Sequence, residues 1–228
     1  MNKITILIPV YNEYNTLNKI LAKIENIDFY GLNKEIILID DCSTDGTKEL
    51  YKDLNYKVLY HERNLGKGAA LRDGFKEATG DIVTIQDADL EYNPEDLLPL
   101  VKVVMDNEAD VAYGSRFMNI DMSKNYMLTH LLGNKALTII TNILYGANLT
   151  DMETCYKVFK SEYVKNLNIK SNRFDFEPEI TAKVLKQGAR LKEVPISYNA
   201  RSFDEGKKIS WKDGFAAIFA LIKFRFMN

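Results

Sequence analysis

An α/β architecture, a mostly parallel sheet with helices packed around it, accounts for this sequence. Apolar runs of four to seven residues recur through its first half, "ITILIPV", "EIILID", "KVLYH", "DIVTIQ" and "DVAYG", with helix-like stretches between them. Strand, helix and strand in alternation is the order of a parallel sheet covered on both faces. At 228 residues the chain is long enough for one large domain, and no linker demands a split. Residues 1–228 are therefore expected to form a single domain, with a first half at 1–117 and a second at 118–228.

The N-terminal stretch "MNKITILIPVYNE" meets Pro9 and polar residues within a few positions and lacks a small-residue cleavage site, so it is expected to be the first strand rather than a signal peptide. In "TLNKILAKIENI", Leu17, Ile20, Leu21 and Ile24 repeat at three and four residues, one face of a helix. After "GSRF" the texture changes. Leu128, Leu131, Leu132, Ile139, Ile140, Ile143 and Leu144 set an amphipathic helical pattern. Lys135, His130 and several Thr and Asn residues interrupt it too often for a membrane span. "CYKVFK", "EPEITAKVLKQGA" and "LKEVPISYNAR" then predict strand, helix and strand. The final segment "DGFAAIFALIKFRFMN" places Phe215, Ile218, Phe219, Ile222 and Phe226 at helical spacing beside Lys212, Lys223 and Arg225. Such a helix suits either a membrane interface or packing on the core or a partner. No run of about 18 apolar residues is present, and the chain is expected to be soluble or peripheral.

The composition, 46% hydrophobic and 27% charged, is that of a folded protein. A formal charge of −2 gives no reason to expect nucleic-acid binding. The charge is uneven, because residues 201–228 hold six basic and three acidic side chains and leave −5 for the remainder. Cys42 and Cys155 stand far apart and outside any CxxC pattern, which argues against zinc or a disulfide framework and suits a reducing cytosol. His61 and His130 have no partner at ligand or triad spacing and are expected to be structural.

In open α/β sheets ligands gather outside the carboxyl ends of the strands. Polar clusters follow four of the apolar runs: Tyr11, Asn12 and Glu13; Asp40 and Asp41; "ERNLGKGAA"; and "QDADLE". Extended geometry carried to residue 91 puts Asp87, Asp89 and Glu91 on one side. Crowded carboxylates require a raised pKa or a cation, and oxygen ligands without His or Cys favour Mg²⁺ or Mn²⁺; the plain alternative is a solvated acidic turn. Gly66 and Gly68 around Lys67 at a helix start suit an anionic diphosphate, or simply a loop-to-helix junction. Ser43 to Thr47 are assigned to capping and turn formation, which reserves Asp40 and Asp41 for function. Late in the chain Arg201, Lys207, Lys208 and Gly206 form either a basic surface loop or a loop that closes over a phosphorylated substrate.

Taken in order, "IPVYNE", "EIILIDDCSTDGT", "RNLGKGAA", "QDADLEYNPE", "GSRF", "DMETCYKVFK", "EVPISYNAR" and "EGKKISWKDG" resemble the family 2 glycosyltransferases, and within them the polyprenyl-phosphate sugar synthases of the dolichyl-phosphate mannose synthase type. The resemblance covers nearly the whole chain. It implies a glycosyltransferase A fold with a Rossmann-like central sheet, a nucleotide-sugar-binding half at 1–117, and an acceptor-side half at 118–228. It implies that Pro9, Tyr11, Glu13 and Asp41 line the nucleotide pocket, with Asp40 nearby and Lys67 close to the diphosphate. Asp87 and Asp89 are implied as the metal-binding pair, with Glu91 as a further oxygen donor where relatives often carry Gln. Arg116, Arg201 and Lys208 are implied for an acceptor phosphate, and Asp151 for orienting the acceptor or its loop.

The implied reaction is a Mg²⁺- or Mn²⁺-dependent, inverting transfer of a hexose from a GDP- or UDP-sugar to a polyprenyl phosphate, in the cytoplasm or peripheral on the cytoplasmic face of the membrane. A membrane surface or membrane-protein partner accompanies it. A saccharide or protein hydroxyl as acceptor is the second reading; it needs a base, for which Asp151 and Glu153 are the carboxylates at hand. A nucleotide-sugar-binding subunit without turnover is the third. A nucleotidyltransferase is disfavoured by the lack of a glycine-rich first loop with a following Arg.

Overall fold

The structure is a computed structural model that describes residues 1–118, 128–165, 167–199 and 211–227. Seven strands form one sheet in the order β3-β2-β1-β4-β6-β5-β7. They are β1 (Lys3–Val10), β2 (Asn33–Asp40), β3 (Lys57–Tyr60), β4 (Ile82–Ile85), β5 (Val111–Ser115), β6 (Lys157–Lys160) and β7 (Leu191–Pro195). All seven fall on runs expected to be strands. β6 alone runs antiparallel to its neighbours β4 and β5. Its N-terminal approach, residues 151–156, therefore arrives at the same edge as the carboxyl ends of the parallel strands.

Alternation along the strands sends side chains into two apolar layers. Ile4, Ile6, Ile8, Leu38, Ala112 and Val158 enter one layer, which Leu17, Ile20, Leu21 and Ile24 of α1 (Leu17–Glu25) and Leu97, Leu100, Val101 and Val104 of α4 (Leu97–Met105) cover. Leu7, Ile37, Ile39, Val83, Ile85, Val111 and Phe159 enter the other. Over it lie α3 (Lys67–Glu77), α5 (Leu128–Tyr145), α7 (Phe176–Lys186) and α8 (Trp211–Phe226); the short α2 (Thr47–Leu50) and α6 (Glu162–Lys165) complete the connections. Among the described residues no helix is long and apolar enough to cross a membrane.

The final helix forms where it was expected, and it carries apolar side chains on a second face as well. It packs through Ala217, Ala220, Leu221 and Phe224, while Phe215, Phe219, Ile222 and Phe226 of the expected stripe face outward. Small residues allow the close approach to α7, where Ala182 meets Ala220 and Phe224, so the bulky stripe is turned away.

α3 begins beneath the 171–173 segment. A Cβ on Gly66, whose φ is +99°, would stand 2.3 Å from the Asn172 carbonyl oxygen, and one on Gly68 2.6 Å from that of Ser171. The glycines are needed for this backbone-to-backbone contact. We expect Gly66→Ala to destabilise the protein by about 3 kcal/mol or more, because a forbidden φ and a backbone clash combine. Gly146→Ala, also at positive φ but in open space, costs about 1–2 kcal/mol. Urea unfolding midpoints of the two variants measure the difference.

Candidate active site

The loops after β1 and β2 are clasped together by hydrogen bonds. Asn12 N donates to Ser43 Oγ at 3.0 Å, Glu13 N to Thr47 Oγ1 at 3.0 Å, and Tyr14 N to Asp45 Oδ2 at 3.1 Å, while Thr44 N donates to Asn12 Oδ1 at 2.7 Å. Ser43 and Thr47 thus accept from the neighbouring loop, a correction to their expected capping role. The side chain at the helix start that does accept a backbone N–H is Asp45, from Thr47 at 3.0 Å. Pro9, Tyr11 and Glu13 are partly exposed along this clasp.

Asp40 and Asp41 face inward. Asp40, fully buried, accepts from Ser43 N at 2.9 Å and Tyr51 Oη at 2.7 Å. Asp41 accepts from Leu65 N and Gly66 N, both at 2.8 Å, and its Oδ1 lies 2.7 Å from His61 Nδ1. On the far side of the ring, His61 Nε2 is 3.3 Å from Asp73 Oδ2. His61 therefore links the β2 end to α3, a connection that spacing alone did not reveal. The start of α3 is spent internally as well, for Ala69 N donates to Asn172 O at 3.1 Å. With the Leu65, Gly66 and Ala69 N–H groups engaged, the glycine loop is a packed junction rather than an open cradle of backbone donors.

Lys67 itself points into the polar edge. Its Nζ lies 2.8 Å from Asp87 Oδ1, 3.0 Å from Cys155 Sγ and 3.8 Å from Glu177 Oε1. Burial favours the neutral amine, but Asp87, Cys155 and Glu177 outweigh it and hold the ammonium well above its usual range. Burial likewise raises Asp87, yet Lys67, the Cys155 thiol and Lys157 bring its pKa down, so the carboxylate is ionised. Burial pushes the Cys155 thiol up, out of the reactive range.

Extended geometry does not persist to residue 91. β4 stops at Ile85, Asp89 Oδ1 accepts from Glu91 N at 3.1 Å, and Leu90 adopts φ +64°. A left-handed leucine is a strained conformation held by its surroundings. Glu91 is turned toward Tyr198, whose Oη donates to Oε2 at 2.7 Å. Among the described residues no three His, Cys, Asp or Glu side chains are gathered to hold a metal ion, which corrects the three-carboxylate arrangement. Asp87 and Asp89 follow β4 two residues apart as a pair of carboxylate oxygen donors. That set fits a magnesium-like cation that takes its other ligands from water and substrate phosphates.

On the second half's side, Arg116 forks onto Asp151, with Nε to Oδ2 at 2.7 Å and Nη2 to Oδ1 at 2.8 Å. Asp151 is fully buried and also accepts from Asn134 Nδ2 at 3.1 Å. The Arg116 guanidinium lies 5.1 Å from the Tyr198 ring centroid. Both Asp151 oxygens are thus engaged by internal donors. Arg201 and Lys208, like Lys207, lie outside the described residues.

Beneath these pairs the structure adds groups that the sequence did not single out. Lys157, fully buried, donates to Glu177 Oε2 and to the Thr154 carbonyl. Glu179 accepts from Ser171 N at 2.6 Å and Lys170 N at 2.9 Å, and so shapes the loop over Gly66 and Gly68. The only trace of these roles in the sequence is "FEPE", two glutamates around a proline in a first helical turn, a pattern that ordinarily serves the helix dipole. Between the two ion pairs lies Glu153, with Oε1 buried and unpartnered among the described residues. Burial and Glu177 push its carboxyl up to about 8 against the pull of Lys157 and Arg116.

Two outcomes follow. Asp151→Ala strands a mostly buried guanidinium and lowers unfolding free energy by about 3–5 kcal/mol, measured by urea denaturation. Glu153 is neutral in the folded state and ionised in the unfolded chain between its two pKa values. Its contribution to stability is therefore present below about 4.5 and is lost as pH rises to about 8. Glu153→Gln removes this part of the pH dependence, which melting temperatures across pH 4 to 9 report.

A family model described as "Glycosyl transferase family 2" matches residues 5–167. A dolichol-phosphate mannosyltransferase from Pyrococcus furiosus is 29% identical over 90% of this chain and 59% of its own length. A UDP-N-acetylglucosamine–dolichyl-phosphate N-acetylglucosaminyltransferase from Methanococcus voltae is 27% identical over 97% of this chain and 96% of its own. Among solved structures, glucosyl-3-phosphoglycerate synthase from Mycobacterium tuberculosis, in complex with Mn²⁺, UDP and product, superposes with a TM-score of 0.75 at 19% identity over 100% of this chain and 81% of that one. That likeness shows the fold, the glycosyltransferase A arrangement anticipated from the motifs. The ordered motifs, the sheet and the family match agree, and the chain belongs to glycosyl transferase family 2 as a glycosyltransferase.

Proposed function

We propose that the protein transfers a hexose from a nucleotide diphosphate sugar to a polyprenyl phosphate at the cytoplasmic face of a membrane. The observation that carries this reading is the Arg116–Asp151 fork: the buried carboxylate is spent on holding a guanidinium instead of serving as a base. An acceptor that is already an anion needs positioning and charge complementarity more than deprotonation. Arg116 keeps N–H donors beyond the two given to Asp151, and its planar fork suits a phosphate. The dolichyl-phosphate relatives support the same acceptor class.

On the donor side, Tyr11, Glu13 and Pro9 border the nucleotide, and Asp40 and Asp41 hold the shapes of the loops around it. The diphosphate gains charge as the anomeric bond breaks. Lys67, kept protonated by its neighbours, faces that charge. Asp89, with Asp87, would hold a Mg²⁺ or Mn²⁺ ion, which supplies further neutralisation of the leaving group when bound; the Mycobacterium tuberculosis synthase was solved with either ion and UDP. Attack by the acceptor phosphate from the face opposite the leaving group inverts the anomeric centre.

A second reading rests on Glu153. Its unpartnered oxygen and pKa of about 8 are those of a general base for a hydroxyl acceptor. The two readings part on one variant. With a radiolabelled nucleotide sugar and a polyprenyl phosphate, wild type forms a mild-acid-labile lipid product, and Asp89→Ala loses about 10²-fold or more of the rate. Glu153→Gln keeps kcat within about tenfold for the phosphate acceptor. A loss of about 10²–10⁴ in kcat, with transfer to saccharide hydroxyls alone, establishes the second reading instead.

A further inference from the structure

The outward faces of α5 and α8 are apolar although neither is covered by the described chain. The helices lie against each other, with Tyr145 Oη donating to Leu221 O at 2.7 Å and the Arg225 guanidinium 5.8 Å from the Tyr145 ring centroid. Each already buries one side, Leu137 from α5 and Ala217 and Leu221 from α8. On the outer side of α8, Phe215, Phe219, Ile222 and Phe226 follow at intervals of four, three and four residues and are 47–82% exposed. On that of α5, Leu132, Ile139 and Ile143 are 51–77% exposed, with exposed Ala136 between them. Every exposed Phe, Ile or Leu among the described residues lies on these two helices. A water-facing helix ordinarily turns polar residues outward, and apolar surface concentrated in one place marks a binding face.

Charge decides what covers it. Among the side chains described, the two helices carry Lys135, Lys223 and Arg225 and no acid, a local excess of +3 in a chain whose total is −2. A second copy would bring the same positive charge to the contact, whereas an anionic lipid surface offers both the opposite charge and an apolar boundary. We infer that α5 and α8 form a docking face for an anionic bilayer, lying in the headgroup plane with their outer stripes in the acyl boundary. No described helix is long and apolar enough to cross a membrane. The inference needs no particular acceptor.

The test is co-sedimentation of the full chain with vesicles of phosphatidylglycerol and phosphatidylcholine, compared with phosphatidylcholine alone, at about 0.1 and 0.5 M salt. Binding is expected to favour the anionic vesicles and to weaken with salt. Phe215→Ser with Phe219→Ser, and separately Ile139→Ser with Ile143→Ser, lower partitioning by about tenfold or more. Both leave the unfolding midpoint within error, since the side chains are exposed. Transfer to a short-chain, water-soluble polyprenyl phosphate keeps its wild-type kcat in these variants, which separates loss of docking from failure of the proposed reaction. Absence of vesicle binding by wild type, equal binding by wild type and both variants, or a dimer by light scattering that the variants dissolve without any vesicle binding, overturns the inference.

Discussion

Lys67 and Asp87 are contributed by different strand ends, one opening α3 and the other following β4, and the contact between them organises the polar edge. Two charges largely withdrawn from water are tolerated only where partners are close and further polar groups complete them. Here completion comes from the second half of the chain: Cys155 touches Lys67, Glu177 approaches it, and Lys157 neutralises Glu177. The charges run Asp87, Lys67, Glu177, Lys157, alternating in sign. Removing any one leaves a buried neighbour unpaired, so the start of α3, the loop after β4, the 151–156 approach and α7 have a shared interest in one geometry.

The same edge explains a division of labour among its carboxylates. Asp40, Asp41 and Asp151 are buried, and their oxygens are filled by internal donors; they set the shapes of loops. Asp87 is ionised against an ammonium, and Glu153 is held neutral by burial near like charge. Environments that push similar groups apart in pKa are how one small site sustains distinct roles. The strained Leu90, directly after Asp89, belongs to the same economy of form, with local discomfort tolerated where a side chain has to be aimed.

The strands and their common edge were legible because a buried parallel sheet writes itself as short apolar runs, each ended by a polar cluster. The direction of the polar side chains was not. "DDCSTDGT" announces two aspartates at a strand end, but only the fold shows them pointing back at Tyr51, His61 and the Gly66 backbone. Lys157 lies inside a strand and Glu177 in a first helical turn, positions where a charge is ordinarily solvated, so nothing local marks them as buried partners. In α5 and α8 periodicity located the helices but not their packed face: both faces are apolar, and spacing cannot tell which one the core takes. In α8 the small residues at 217 and 220 decided it through close packing, with Ala220 meeting Ala182 of α7.

The reversed strand β6 has a consequence for the order in which the molecule is made. β1, β2 and β3 find all their sheet partners within the first four strands, and β4 has β1 on one side, whereas β5 pairs only with β6 and β7, both of which follow it in the chain. Lys157 follows Ser115 by about forty residues, a wait of roughly 2–8 s at about 5–20 residues per second of synthesis. During that interval the nascent chain holds the four strands β1 to β4 with one open flank and β5 without its sheet partners. The gap between β4 and β5 is closed by β6, whose approach also delivers Asp151, Glu153 and Cys155, so the two parts of the sheet are joined by the segment that brings these side chains to the polar edge.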